Sequence, residues 1–209
     1  VKYDADGNTL WDTYYGGLEG DYGSSCTVGP DGSVFLAGST ASVESIADGG
    51  HQNTFGGGWG GENTPSDAFL VKFSAGGVRA WGTYYGASAN DYGAACAVDP
   101  FGNALLAGNT WSVDSIAFQG HQNTLAGLSD GFLVMFAQDG SRLWGTYYGG
   151  SDYDYAYGCA IAPGGKTFLA GTTSSLDGIA ENGHQNSLNG TCTEGCPSEA
   201  FLVQFAGSV

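Results

Sequence analysis

Leu10-Trp-Asp-Thr-Tyr-Tyr-Gly16, Ala80-Trp-Gly-Thr-Tyr-Tyr-Gly86 and Leu143-Trp-Gly-Thr-Tyr-Tyr-Gly149 are three versions of one heptapeptide in a chain of 209 residues. Their tryptophans stand 70 and then 63 residues apart, and the same two intervals separate Cys26, Cys96 and Cys159, and again His51, His121 and His184. Three unrelated anchors that share two intervals define a repeat protein. Each copy runs on to a hydrophobic pentapeptide: Phe69-Leu-Val-Lys-Phe73, Phe132-Leu-Val-Met-Phe136 or Phe201-Leu-Val-Gln-Phe205.

Within the second copy, four short runs are rich in aromatic and β-branched residues or alternate in polarity: Arg79 to Tyr85, Gly93 to Val98, Ala104 to Asn109 and Gly131 to Phe136. Gly-, Asp- and Pro-rich turns bound them, Asp99-Pro-Phe-Gly102 being a tight-turn composition. No helical periodicity competes. Each copy therefore reads as a four-stranded antiparallel sheet, with blades at 9–73, 79–136 and 142–205 of one repeat domain, 1–209. The copies differ in length mainly between the His-Gln-Asn segment and the last strand, where a surface loop accepts insertions without disturbing the core.

A sheet of this size has two faces to bury, and stacking its copies around an axis buries them, which is the logic of a propeller blade. The order Trp-Gly-Thr-Tyr-Tyr-Gly-Gly, acidic-Tyr-Gly, Leu-Ala-Gly-x-Thr and aromatic-Leu-Val-x-Phe resembles the SBBP (seven-bladed β-propeller-related) repeat, in three consecutive copies. The resemblance implies large exported and cell-surface bacterial proteins without an assigned activity. The fold class expected is all-β, a propeller-type array of three four-stranded antiparallel blades. Propellers use about four to eight blades, so three require completion by another chain or by missing blades of a longer one. Val1-Lys2-Tyr3 aligns with Val71-Lys72-Phe73, so the chain starts within a strand. Two copies about a two-fold axis close a six-bladed ring, whereas a contact that does not close makes a filament.

The charge balance narrows the partners. Five Lys and Arg face 21 Asp and Glu, a formal charge of -16. Such a field repels phosphate backbones and anionic lipid, which argues against nucleic acid and membrane docking. No apolar run approaches the roughly 18 to 20 residues that span a bilayer, and the first residues do not open a signal peptide. Low Lys content and net acidity point to an extracellular or cell-surface protein. Cys192 and Cys196 are close enough for a local disulfide in an oxidising compartment, and Asn189-Gly190-Thr191 is a glycosylation sequon.

The candidate site residues recur with the repeat. His51-Gln52-Asn53, His121-Gln122-Asn123 and His184-Gln185-Asn186 are either a ligand set for a metal or sugar on each blade or side chains that satisfy loop backbone. Asp21, Asp91 and Asp154 precede a Tyr in each copy and are Ca²⁺ candidates, against the reading of an Asx turn that fixes a hairpin. Asp67, Asp130 and Glu199 introduce the last strand and read the same way. The three repeated cysteines read as buried packing thiols. No nucleophile elbow, zinc-protease helix or phosphate loop is present, so no catalytic residue or cofactor is assigned. The expectation is a non-catalytic extracellular structural or adhesive module that self-associates through blade edges or faces. The rival is a lectin-like propeller with one surface-glycan site per blade, its Trp and Tyr-Tyr residues stacking on sugars, with Ca²⁺ as a helper.

Overall fold

The structure is a computed structural model that describes residues 1–57, 65–189 and 197–205. Thirteen strands make it up: β1 (Lys2–Tyr3), β2 (Thr9–Trp11), β3 (Asp21–Val28), β4 (Val34–Thr40), β5 (Asp67–Phe73), β6 (Arg79–Tyr85), β7 (Asp91–Val98), β8 (Ala104–Thr110), β9 (Asp130–Phe136), β10 (Arg142–Tyr148), β11 (Asp154–Ile161), β12 (Thr167–Thr173) and β13 (Glu199–Phe205). All pairings are antiparallel. Sheet I has the order β3-β4-β5-β6, sheet II runs from β7 to β10 in sequence, and sheet III is β11-β12-β13; β1 and β2 form a separate two-stranded ribbon. The first strands β3, β7 and β11 pack against one another in succession, which places them at the inner side of the stack.

The repeat unit and the sheet are out of phase by one strand, which corrects the blade limits 9–73, 79–136 and 142–205. The Trp-x-Thr-Tyr-Tyr run does not open its own sheet: β6 pairs with β5, so that Ala68 faces Tyr85 and Lys72 faces Trp81, and β10 pairs with β9 in the same way. The reason lies in two short connections that look alike in composition. Ser74 to Val78 closes a hairpin, with Ser74 N–H donating to Val78 O at 2.8 Å. The segment after Tyr85 instead bonds to a side chain, Ala87 N–H donating to Asp91 Oδ2 at 2.8 Å, and carries the chain to the next sheet. Sheet III has three strands among the described residues, where four were expected.

The sheets stack face to face. Phe35, Ala37, Leu70, Trp81 and Tyr85 of sheet I meet Leu106, Phe132, Val134 and Phe136 of sheet II. The opposite face of sheet II, with Leu105, Ala107, Leu133 and Tyr148, meets Leu169, Phe201 and Phe205 of sheet III. These strands are buried on both faces, so β5 and β9 read as continuous apolar runs without alternation. Cys96 is buried, but Cys26 is exposed, because the outer face of sheet I has no sheet over its inner strand. The expectation of three buried thiols holds only where a neighbouring sheet supplies the cover.

Leu-Ala-Gly-x-Thr owes its glycine to crowding inside its own sheet, from the strands on either side of it. A Cβ on Gly108 would lie 1.9 Å from Tyr92 O and 2.7 Å from the Phe132 ring, and Gly38 and Gly171 stand in the same vice. Gly108→Ala is expected to cost about 3 kcal/mol through overpacking. Gly7→Ala, at φ +86 with nothing within 4 Å, should cost only about 1 kcal/mol for its backbone conformation. Denaturant midpoints of the two variants measure the difference, and equal costs would contradict the close approach.

Candidate functional site

The repeated polar residues converge where adjacent sheets meet. At the first junction, Gln52 N–H donates to Thr83 Oγ1 at 2.8 Å and Gln52 O accepts from Tyr84 N–H at 3.0 Å, which sews the Gly-His-Gln-Asn loop onto β6. The Gln52 amide then spans two elements: its Nε2 donates to Asp67 Oδ2 at 3.3 Å and its Oε1 accepts from Gly86 N–H at 3.3 Å. Gln122 repeats this at the second junction, with Nε2 to Asp130 Oδ2 at 2.6 Å and Gly149 N–H to Oε1 at 3.1 Å. Gln185 keeps the carboxylate contact, to Glu199 Oε2 at 2.6 Å. Asn53, Asn123 and Asn186 close their own turns through bonds to Gly50, Gly120 and Gly183 carbonyls. The amides thus hold the loop backbone.

The histidines lie apart from any ligand set. His51 packs against Phe136 of sheet II at 6.3 Å, His121 against Phe205 of sheet III at 6.2 Å, and His184 is exposed. Burial, with the Arg142 charge behind it, holds His51 below the usual imidazole range. Among the described residues no group of three or more His, Cys, Asp or Glu is disposed to hold a metal ion. Asp21, Asp91 and Asp154 are turn anchors: Asp91 Oδ2 accepts from Ala87 N–H and Ser112 Oγ, both at 2.8 Å, and Asp154 Oδ2 accepts from Gly150 N–H at 2.7 Å and Ser175 Oγ at 2.8 Å. Cys192 and Cys196 lie outside the described residues, while Asn189 is exposed and its N–H donates to Glu199 Oε1 at 2.9 Å.

The sequence did not disclose that two of these carboxylates confront each other. A Cβ on Gly86 would fall 2.6 Å from Asp67 Oδ1 and 2.8 Å from Asp91 Oδ2, and one on Gly149 would fall 2.5 Å from Asp130 Oδ1 and 2.8 Å from Asp154 Oδ2. The third strand of one sheet, β5 or β9, and the first strand of the next, β7 or β11, each supply one acid. All four are buried, and Oδ1 of Asp67, Asp91 and Asp154 has no hydrogen-bond partner among the described residues. Burial pushes Asp67 up to about 7 and Asp91 up to about 6, and it raises Asp130 and Asp154 in the same direction. Only the threefold Asp-Tyr and strand-entry acids signalled this pairing, and nothing in their spacing placed them across a junction.

Residues 80–114 match the family model of the SBBP beta-propeller repeat. Over that stretch the chain is similar to an SBBP repeat. The match starts in β6, crosses the junction and ends beyond β8, so the family's unit, like the sequence repeat, straddles two sheets. No curated protein matches the chain.

The buried acids set a pH dependence. Their folded-state pKa values lie above the unfolded value near 3.8, so the folded state binds more protons, and their contribution to stability declines as pH rises from about 4 to about 7. His51 acts in the opposite sense, as do the hydrogen-bonded Asp4, Asp31, Asp139 and Asp177, but those carboxylates are solvent-screened. Asp67→Asn removes one buried charge and brings an N–H₂ to the orphan oxygen's place. Its melting temperature should exceed that of the unsubstituted protein at pH 8, by an amount corresponding to about 1 kcal/mol, with the gain vanishing near pH 4. Thermal unfolding at both pH values checks the sign, and a loss at pH 8 would refute it.

Proposed function

We propose that this chain is a non-catalytic, extracellular propeller module that assembles by strand addition between copies. The observation that carries the reading is a pair of complementary gaps. Sheet III ends at β13, which has no fourth-strand partner among the described residues, while β2 is a Trp strand whose only partner is the two-residue β1. In sheets I and II the fourth strand is a Trp-Gly-Thr-Tyr-Tyr run, and Leu10 to Tyr15 is the third copy of it. An unpaired strand edge is a template for such an addition.

Two further features support it. A cleft of about 310 Å³ beside β13 is lined by His121, Trp144, Thr146, Val203 and Phe205. In sheet II, Arg142 of the fourth strand lines the surface beside His51. On the outer face, Leu202 is 74% exposed, although its counterparts Leu70 and Leu133 are 0% exposed beneath a neighbouring sheet. A second copy offers both the missing strand and the face that covers it, and further repeats of a longer chain would satisfy the same edge. A per-blade lectin is disfavoured because Trp81, Tyr84, Tyr85, Tyr147 and Tyr148 are buried, so that Tyr14 is the exposed member of the repeated Tyr-Tyr set. The extracellular placement rests on acidity and low Lys content, and the non-catalytic reading on the structural engagement of the repeated Gln, Asn and Asp side chains.

Sedimentation equilibrium at micromolar concentration should give dimers or longer assemblies that strengthen with added salt, because each copy carries a charge of -16. Leu202→Lys costs little in an isolated chain, where the side chain is solvated, yet it should weaken association by at least about tenfold at an unchanged melting temperature. A chain that stays monomeric, or a variant that assembles as well as the parent, overturns the proposal.

A further inference from the structure

The repeat supplies an internal control for residues that the fold does not require. The N–H of Ala41 donates to Gly20 O at 2.9 Å, that of Trp111 to Asn90 O at 3.0 Å and that of Ser174 to Tyr153 O at 2.9 Å. This is one backbone bond made three times at the sheet rim, with small or polar side chains at most of its six positions. Trp111 and Tyr153 are the two aromatic exceptions, each in a different copy. The backbone closes equally well around Ala, Ser, Gly or Asn, so the rings answer to something other than folding.

They meet at one place. Trp111 lies 5.8 Å from Tyr92 of its own sheet, edge to face, and 5.9 Å from Tyr155 of sheet III; Tyr153 stacks on Tyr155 at 6.2 Å with 11° between the planes. The four rings form a row across the rim between sheets II and III. Tyr153 is 41% exposed and the other three are half-buried. Tyr157, two residues further along β11, is 58% exposed where the other copies have Ser24 and Ala94. The hydroxyls differ from those of the packing tyrosines. Tyr84 and Tyr147 donate to the Ser42 and Ser112 carbonyls, and Tyr85 and Tyr148 to those of Ile116 and Ile179. The hydroxyls of Tyr92, Tyr153 and Tyr155 make no such bond among the described residues.

We infer that the Tyr92–Trp111–Tyr155–Tyr153 row is a single binding platform for a neutral polysaccharide. The C–H face of a pyranose ring lies against the negative face of an aromatic ring, and its equatorial hydroxyls then reach phenol oxygens and the nearby Asp152 carboxylate. An open row suits an extended chain of sugar rings, whereas a quaternary ammonium group is held by rings that enclose a point. The acidic field turns away sulfated and uronic glycans, which leaves uncharged ones. The site occurs once in the chain, unlike the per-blade arrangement, and it lies within one molecule, so it does not depend on strand addition.

Affinity electrophoresis in gels containing hydroxyethylcellulose, xylan or glycol chitin tests the platform, with Trp111→Ser and Tyr153→Asn as variants. Each variant installs the residue that another copy carries at the same position, so folding is preserved and a matching melting temperature verifies it. Retardation of the parent protein in at least one gel, weakened about tenfold in each variant, is the expected result. No retardation in any gel overturns the inference. So does retardation that both variants retain, which would move the sugar to the repeated loops, and so does competition by tetramethylammonium in place of soluble oligosaccharide.

Discussion

The structure depends on one reach: the Trp-x-Thr-Tyr-Tyr run that precedes each sheet lays its second Tyr, and in the first two cases the Trp indole, on that sheet. Tyr15, Tyr85 and Tyr148 donate their hydroxyls to the carbonyls of Ile46, Ile116 and Ile179, always one sheet further on. Their rings rest on the Phe pair of the third strand there, Phe69 and Phe73, Phe132 and Phe136, or Phe201 and Phe205. The Trp11 and Trp81 indoles donate to the Ala75 and Gln138 carbonyls of the next hairpin at 3.1 and 2.8 Å. Each such contact buries a large ring and satisfies its polar atom, so it joins sheets without leaving an unpaired donor. The same reach explains why the sequence unit and the sheet are offset: the strand that completes one sheet is the strand that grips the next.

Once the sheets are held this closely, the polar groups at their ends are shut away from water. The carboxylates at the Gly86 and Gly149 junctions are the consequence, four buried acids with no basic side chain bonded to them among the described residues. Their desolvation is offset by loop N–H groups and the Gln52 and Gln122 amides, and at Asp67, Asp91 and Asp154 one oxygen stays unmatched among the described residues. A protein with few cations and many acids can keep such groups inside by surrounding them with donors, as the loop N–H groups do here, while burial raises their pKa values. The histidines of the same loops were freed for packing, with two of the three lying on an aromatic ring of the neighbouring sheet.

The repeats also separate what builds the molecule from what decorates it. Residues present in all three copies, such as the Trp-x-Thr-Tyr-Tyr run, the Gln of the loop and the Leu-Ala-Gly glycine, are each accounted for by a contact within or between sheets. Trp111, Tyr153 and Tyr157 occupy positions where sister copies manage with small residues, and all three sit on or near exposed rim and inner-strand surface. In a repeat protein the exceptions to the pattern carry the information about specific recognition, because the scaffold's own demands are met identically in each copy.

The sequence by itself determined the repeat, the all-β class, the four strand types and the acidic surface, since spacing, alternation and turn chemistry are local properties of the chain. It also yielded the turn-anchoring role of Asp21, Asp91 and Asp154 as one of two readings, because an Asp that accepts N–H groups a few residues away is a short-range device. Only the tertiary structure decided which connection is a hairpin and which crosses to the next sheet, because Ser74–Val78 and Gly86–Asn90 are similar in length and polarity and differ only in whether the returning strand finds a free edge. Only the tertiary structure set Asp67 against Asp91, exposed Cys26 while burying Cys96, and brought Trp111 to Tyr155. Those relations join residues of different sheets, and their distances follow from the stacking of faces, which no interval along the chain encodes.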